Sequence, residues 1–299
     1  MHTVIDRLTA EISEKNPLQK VYIKGLLEND INDEEIQDLE SILNLLTRDH
    51  SIEELADAYL LLVGDTMEET AFFLQNGHYR YSTLAEVNEK VYQNTEYMNK
   101  YMLGLLISGY LWKNHLAINR WFKQTIAKFH GKNYLEIGPG HGRYFLEAIN
   151  LGNFDHYTGV DLSPSSIKLA ESFIEMNKTS DAKQYELICA DINKYEFDSL
   201  FDGVSISEVL EHVEDPRSLL RRIHEITNEG ADIYVSVPIN APEIDHIYLF
   251  KSNEEVFKMV EEEHFTIKDY FYVTSNGASY EKAQKKRIAV NLAMHLVHA

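Results

Sequence analysis

The hydrophobic pattern of the chain changes period once. Up to about residue 128, apolar positions such as Ile36, Leu39, Leu43 and Leu46 recur at the spacing of one helix face. Start signals agree with that period. Ser51-Ile52-Glu53-Glu54 and Thr83-Leu84-Ala85-Glu86 have the capping-box form, in which a hydroxyl accepts an orphan amide and the glutamate reaches back to the cap. Asn32-Asp33-Glu34-Glu35 puts acids in a first turn, and Asn76-Gly77 is a stop. No strand pattern, internal repeat or low-complexity tract interrupts this stretch, so residues 1–128 are predicted to be all-helical.

Over residues 129–299 the pattern becomes strand–helix alternation, with strands predicted at Tyr134–Ile137, Tyr157–Val160, Tyr185–Cys189, Gly203–Ser207, Asp232–Val237, Thr266–Val273 and Ile288–Val297. Ser163-Pro164 and Asp215-Pro216 each place a capping side chain before a proline suited to the first helical position. Ser252-Asn253-Glu254-Glu255 opens a further helix, and Gly230 stands where a helix-ending glycine is expected. Alternation of this kind builds a doubly wound, Rossmann-like α/β sheet. Asn276-Gly277 and the polar residues after it predict an antiparallel hairpin of the last two strands at a sheet edge.

Composition narrows the partners. A net charge of −20 disfavours nucleic acid, whose phosphates require a basic surface. The one basic run, Lys282-Ala283-Gln284-Lys285-Lys286-Arg287, reads as a solvated turn. A single cysteine, Cys189, excludes an internal disulfide and a cysteine-rich zinc site. The segment Met1-His2-Thr3-Val4-Ile5-Asp6-Arg7 lacks the apolar core of a secretory leader, and the apolar run Met102 to Trp112 is too short to span a membrane. The expectation is a cytoplasmic enzyme with a small-molecule substrate, no nucleic acid and no membrane partner, whose N-terminal helices are equally suited to forming a homodimer.

The chemistry concentrates at strand ends. Asn133 to Ile137 runs into Gly138-Pro139-Gly140-His141-Gly142 and then a helix. Glycines there permit positive φ and close approach to a ligand, while a helix start offers free amides. A dinucleotide fingerprint would need its third glycine at position 143, where Arg143 stands instead. The second strand ends in Asp161-Leu162, and a carboxylate about 20 residues past the turn can accept a ribose diol. The third ends in Asp191-Ile192, and the fourth in Ser207-Glu208-Val209-Leu210-Glu211-His212-Val213-Glu214-Asp215-Pro216.

These four segments, in this order, resemble the motifs of the class I S-adenosylmethionine (SAM)-dependent methyltransferases, and the last is similar to the E-x-L-E-H-V-x-D-P segment of ubiquinone-pathway O-methyltransferases. The resemblance covers roughly residues 132–240. It implies SAM as cofactor, with Glu136, Gly138, Gly140 and Gly142 at its methionine end. Asp161 and Leu162 would hold the ribose and adenine, Asp191 and Ile192 the adenine edge, and Glu208 and Val209 would floor the site.

The acceptor side is less determined. His212 is the candidate general base, since an imidazole titrates near neutrality, and Tyr110 joins it as a candidate catalytic group. Asn240, Asp245 and His246, in a proline-interrupted loop with Tyr248 and Phe250, are candidate substrate contacts. So are Tyr79, Arg80, Tyr81 and His115 of the tyrosine-rich helical region, with Arg143 a second cation able to meet a carboxylate. Glu211, His212, Asp245 and His246 lack any fixed metal-ligand spacing, so no metal is expected. The leading function is methyl transfer to a small polar metabolite, with the helical region as a lid that sets specificity. Alternatives are cyclisation of the aminobutyl arm of SAM with release of methylthioadenosine, as in azetidine-2-carboxylate synthases, a non-catalytic SAM-binding module, and, on fold alone, a nicotinamide-dependent dehydrogenase.

Overall fold

The computed structural model describes residues 3–179 and 183–299. Met1 and His2, where the leader was sought, lie outside it. The chain divides into two compact units. One gathers the residues up to Tyr81, Ala85–Asn119 and Pro242–Asp245, and the other Ser82–Leu84, Arg120–Ala241 and His246–Ala299.

The first unit is helical. It contains α1 (Val4–Lys15), α2 (Pro17–Asn29), α3 (Asp33–Leu46) and α4 (Ile52–Asn76), started by Thr3, Asn16, Asn32 and Ser51, each of whose side chains accepts an amide of the first turn. Gly77 ends α4 in the left-handed conformation. The predicted start at Thr83 yields only the short α5 (Leu84–Val87), which passes into a π-helical turn at Asn88–Tyr92. Next come α6 (Thr95–Leu111) and α7 (Lys113–Ile126), the latter crossing from one unit to the other between Asn119 and Arg120. Leu8, Ile12, Leu26, Leu39, Leu43, Leu55 and Leu62 are buried at helical spacing and form this unit's interior.

The second unit carries a seven-stranded sheet. Its strands are β1 (Asn133–Ile137), β2 (His156–Asp161), β3 (Tyr185–Cys189), β4 (Phe201–Ser207), β5 (Thr227–Ile239), β6 (Phe265–Thr274) and β7 (Val290–His298), in the order β3-β2-β1-β4-β5-β7-β6. The first five pair in parallel, and β7 runs antiparallel between β5 and β6. Leu135, Ile137, Val160, Val204, Ile206, Ile233, Val235 and Val237 are almost fully buried. Near-continuous apolar runs of this sort mark strands covered on both faces. Each such side chain contributes about 1.5–3 kcal/mol of transfer free energy. The remaining helices are α8 (Arg143–Leu151), α9 (Pro164–Asn177), α10 (Pro216–Glu225), α11 (Asn253–Glu262) and α12 (Tyr280–Lys286).

Three local expectations are corrected. Gly230 does not end a helix. α10 stops at Ile226, and Gly230 lies inside β5 at φ 79°, where the register with β4 shifts between Phe201↔Thr227 and Gly203↔Asp232. A bulge there requires the conformation that the sequence alone assigned to a cap. The last two strands are antiparallel as expected, but their connection contains α12 after the Gly277 turn. The basic run lies largely on α12, started by Ser279 and ended by Arg287 in the left-handed region, so it is not a turn.

Candidate functional site

In a parallel sheet, ligands meet the carboxyl ends of the strands, and here those ends bring the predicted cofactor residues together. After β1, Gly138, Gly140 and Gly142 all have positive φ, at 69°, 54° and 85°. The Gly138 amide donates to the Val160 carbonyl at 2.8 Å, and the Gly142 amide to Pro139 at 2.7 Å. A Cβ on Gly138 would lie 2.6 Å from Val209 Cγ2, and one on Gly142 would lie 2.9 Å from the Ala170 Cα. Steric necessity therefore fixes glycine at both positions and sets Val209 directly against the turn. The Gly140 amide donates to Asp161 Oδ2 at 3.3 Å, and the Ser163 amide to Oδ1 at 2.8 Å. Burial pushes the Asp161 carboxyl up, while these amides and the nearby His212 pull it down. Leu162 beside it keeps 59% of its surface exposed, an apolar side chain presented at a strand end.

Asp191 is held below the usual carboxylate range by Lys194 at 2.7 Å, and it also accepts the Asn193 amide at 3.0 Å. The carbonyl of Ile192 accepts Nε of Arg222 at 3.1 Å. Two acids behave differently. Burial raises Glu136 to about 8 and Glu208 to about 7. Glu208 sits at φ 53°, a left-handed conformation uncommon for a side chain of its type, and its Oε1 is buried without a hydrogen-bond partner among the described residues. A glycine cradle, a carboxylate tied to it for a diol, an apolar side chain beside that, and a buried acid lacking one partner form a donor set that fits SAM. That ligand combines an ammonium, a ribose diol and an apolar ring.

Past β4 the chain makes a 3-10 turn at Leu210–His212, closed by the His212 amide on the Val209 carbonyl at 3.0 Å. The Glu211 carbonyl accepts the amides of both Ile247 and Tyr248 at 2.9 Å, which docks the segment after His246 onto this turn. His246 Nδ1 lies 2.8 Å from the Ala241 carbonyl and must donate to it. In the neutral ring this turns the lone pair of Nε2 toward the buried carboxylate of Glu211, 3.9 Å away. His212 Nε2 lies 3.8 Å from the same oxygen, and the two imidazoles stand nearly perpendicular with centroids 5.0 Å apart. Ligand atoms of Glu211, His212 and His246 all fall within 4.8 Å of one another. The expectation of no metal rested on the absence of spacing along the chain. Folding supplies a proximity that spacing did not reveal.

The remaining predicted residues divide between the units. Asn240 closes β5 at φ 49°, its amide on Phe250 O at 3.0 Å and its side chain on Lys251 O at 3.2 Å. Tyr79, Arg80, Tyr81, Tyr110, His115 and Asp245 belong to the helical unit. Arg80 donates to Glu69 at 2.8 Å and Glu68 at 3.1 Å and lies over the Phe72 ring, so its charge is matched within its own unit. Tyr79 packs on Phe73, Tyr110 is 2% exposed, and His115 Nδ1 meets Ser108 Oγ at 3.1 Å beside Trp112. Arg143 is buried, and its amide donates to His141 Nδ1 at 3.3 Å. Burial and then the Arg143 charge push the His141 imidazole down to about 3, which keeps it neutral.

A cluster that sequence reading missed surrounds Asp245. Tyr92 and Tyr101 donate to its two oxygens at 3.2 and 3.3 Å, Tyr97 donates to Asp65 at 2.6 Å, and Thr66 donates to Glu243 at 2.9 Å. Burial, with Asp245, Asp65 and Glu69 nearby, pushes the Glu243 carboxyl well above its usual range. The tyrosine enrichment of the region was its only signal in the sequence.

Comparison with known proteins gives the arrangement a family. A profile described as a methyltransferase domain matches residues 113–266, about half of the chain. A ubiquinone biosynthesis O-methyltransferase of Leptothrix cholodnii is 28% identical over 148 residues, covering 49% of this chain and 60% of that protein. One of Pseudomonas aeruginosa is 30% identical over 137 residues, covering 46% of this chain and 55% of that protein. The chain thus spans little more than half the length of these relatives. Among solved structures, the N-methyltransferase NodS of Bradyrhizobium japonicum, in complex with S-adenosyl-L-homocysteine (SAH), aligns at 16% identity and TM-score 0.45, over 60% of this chain and 85% of its own. The [4+2]-cyclase SpnF aligns at 15% identity and TM-score 0.48, over 60% of this chain and 80% of its own. The chain belongs to the methyltransferase-domain family, with the class I SAM-dependent fold and S-adenosylmethionine as its cofactor.

Proposed function

We propose that the protein transfers the methyl group of SAM to a small, polar metabolite by in-line displacement. The hydrogen bond from Gly140 to Asp161 carries this reading, because it joins the glycine turn and the second strand end into one site. When bound, SAM supplies an electrophilic methyl group on a cationic sulfur. The rest falls to the chain. Glu136 and the three glycines hold the methionine end, Asp161 and Leu162 the ribose and adenine, Asp191 and Ile192 the adenine edge, and Glu208 and Val209 the floor. Position contributes most of the rate, since a displacement needs its nucleophile close and aligned. His212, 24% exposed beside the strand ends, takes the proton of an acceptor hydroxyl, amine or acidic carbon. Selectivity is assigned to the helical unit, where Asp245 with Tyr92 and Tyr101 forms a stronger polar cluster than the dispersed Tyr79, Arg80, Tyr81 and His115.

Incubation with SAM, first alone and then with pooled small metabolites, tests this. The reading requires SAH to form only after an acceptor is added. Methylthioadenosine released without acceptor would establish cyclisation of the aminobutyl arm, and tight binding with neither product would establish a non-catalytic module.

The Glu211, His212 and His246 geometry favours a second reading, in which a divalent cation orients the acceptor. Imidazole and carboxylate donors suit zinc, iron or manganese. Turnover lost to a chelator and restored by one of these ions supports it, and indifference to chelation removes it.

A further inference from the structure

Glu136 is a deeply buried acid of the candidate site, and two hydroxyls lie behind it in single file. Tyr134 Oη donates to Ser205 Oγ at 2.6 Å, and Ser205 Oγ donates to Glu136 Oε2 at 3.0 Å. Tyr134 and Ser205 are fully buried and Glu136 is 2% exposed, so bulk water does not compete for these bonds. Strand register builds the file. Tyr134 and Glu136 point to the same face of β1, and Ser205 of β4 sits directly beside Glu136. The residue beside Tyr134 is Gly203, where a Cβ would lie 2.5 Å from the Phe154 ring and 3.3 Å from the tyrosine ring, so glycine leaves both rings their space. On the other side, β2 offers Gly159 and no side chain. From α8 the Phe145 backbone also acts against the rise of the Glu136 carboxyl, and the Tyr144 phenol lies near enough to feel its charge.

We propose that Tyr134 and Ser205 are positioning residues for Glu136, forming a buried two-hydroxyl relay that aims its carboxylate at the methionine end of the cofactor and favours its charged form. The proposal rests on the reading that Glu136 meets the ammonium group there. Burial pushes the ligand-free carboxyl up to about 8 even with the Ser205 bond acting against that rise, so it is protonated at neutral pH. Binding an ammonium then requires this proton to leave for solvent. Affinity consequently rises with pH through that region, and weakening the relay moves the rise to higher pH.

Calorimetric titration of the intact protein with SAH between pH 6 and 9 tests the inference, because titration of the ligand's own amino group is common to all variants. The wild type should bind more tightly as pH rises and should release a proton on binding. Ser205→Ala should displace the profile upward by about one pH unit, giving roughly tenfold weaker binding at pH 7 and near-normal binding at pH 9. Tyr134→Phe, which removes only the distal hydroxyl, should displace it in the same direction by less. Uniform weakening at every pH, or unaltered profiles in both variants, would overturn the relay. Glu136→Gln should abolish the rise of affinity with pH, leaving only the ligand's own titration. If it keeps the wild-type profile, the reading of Glu136 as a cofactor residue fails, and the relay fails with it.

Discussion

The two units position their acids by opposite routes. In the sheet unit, Glu136 and Asp161 sit at paired positions within β1 and β2, and Asp191 and Glu208 follow directly after β3 and β4, so the strands place each one. In the helical unit, Asp65 and Asp245 join one cluster from positions far apart in the chain, as do Thr66 and Glu243, which lie 177 residues apart. Partners differ too. Asp161 is met by backbone amides of the glycine turn and the next helix, whereas Asp245 is met by tyrosine hydroxyls. Main-chain donors are rigid and suit a fixed cofactor. Side-chain donors depend on packing and can change without altering the fold, which suits the part of the molecule assigned to choosing an acceptor.

The sharpest break in this comparison should come from His212. His212→Ala should lower kcat by about 10²–10⁴ while leaving SAH affinity near normal, as measured by steady-state kinetics beside calorimetry. Loss of both together would make it a structural residue of the turn. Gly142→Ala should come next. It places a side chain at φ 85° against the Ala170 backbone, and thermal unfolding should show a loss of about 2–4 kcal/mol. An unchanged transition would mean that the turn is not sterically fixed.

A matched pair sharpens the contrast between the units. Glu208→Gln should weaken SAH binding about tenfold, the worth of one charge-assisted contact. Glu243→Gln should leave that affinity unchanged and alter stability by less than about 1 kcal/mol, because burial and the neighbouring acids push this carboxyl toward its neutral form, which an amide mimics. Equal effects on cofactor binding would erase the distinction. A separate effect is one of pH on the ligand-free protein. Burial raises Glu136 to about 8 in the folded state, so between the ordinary carboxyl range and that value the native chain holds a proton that the unfolded chain has released. Its contribution is complete at low pH and is lost as pH rises, with a slope of at most about 1.4 kcal/mol per pH unit. Unfolding from pH 5 to 9 should show this decline, and Glu136→Gln should flatten it.

Legibility followed the same divide. The period switch, the seven strands and the four strand-end motifs were readable because each is local: an apolar run, a glycine turn, an acid at a strand end. Gly230 was misread because a bulge and a helix cap demand the same positive φ. The Glu211, His212 and His246 grouping and the Asp245 cluster were illegible as assemblies. Their members lie on separate segments, and only the docking of Ile247 and Tyr248 on Glu211, or the packing of tyrosines from the helices, brings them together. Arg80 read as a cation for substrate because the acids that match it, Glu68 and Glu69, lie on α4 before the Gly77 turn, and only that turn folds Arg80 back onto them.

The most direct test of the account is a calorimetric titration of SAH into the wild type and Asp161→Ala, with thermal unfolding of both. The wild type should bind, and Asp161→Ala should bind at least about tenfold more weakly while still folding cooperatively, with a stability loss of about 1–3 kcal/mol from the Gly140 and Ser163 amides that lose their acceptor. A wild type that does not bind SAH, or an Asp161→Ala variant that binds it as tightly as the wild type, would contradict the placement of the cofactor at these strand ends.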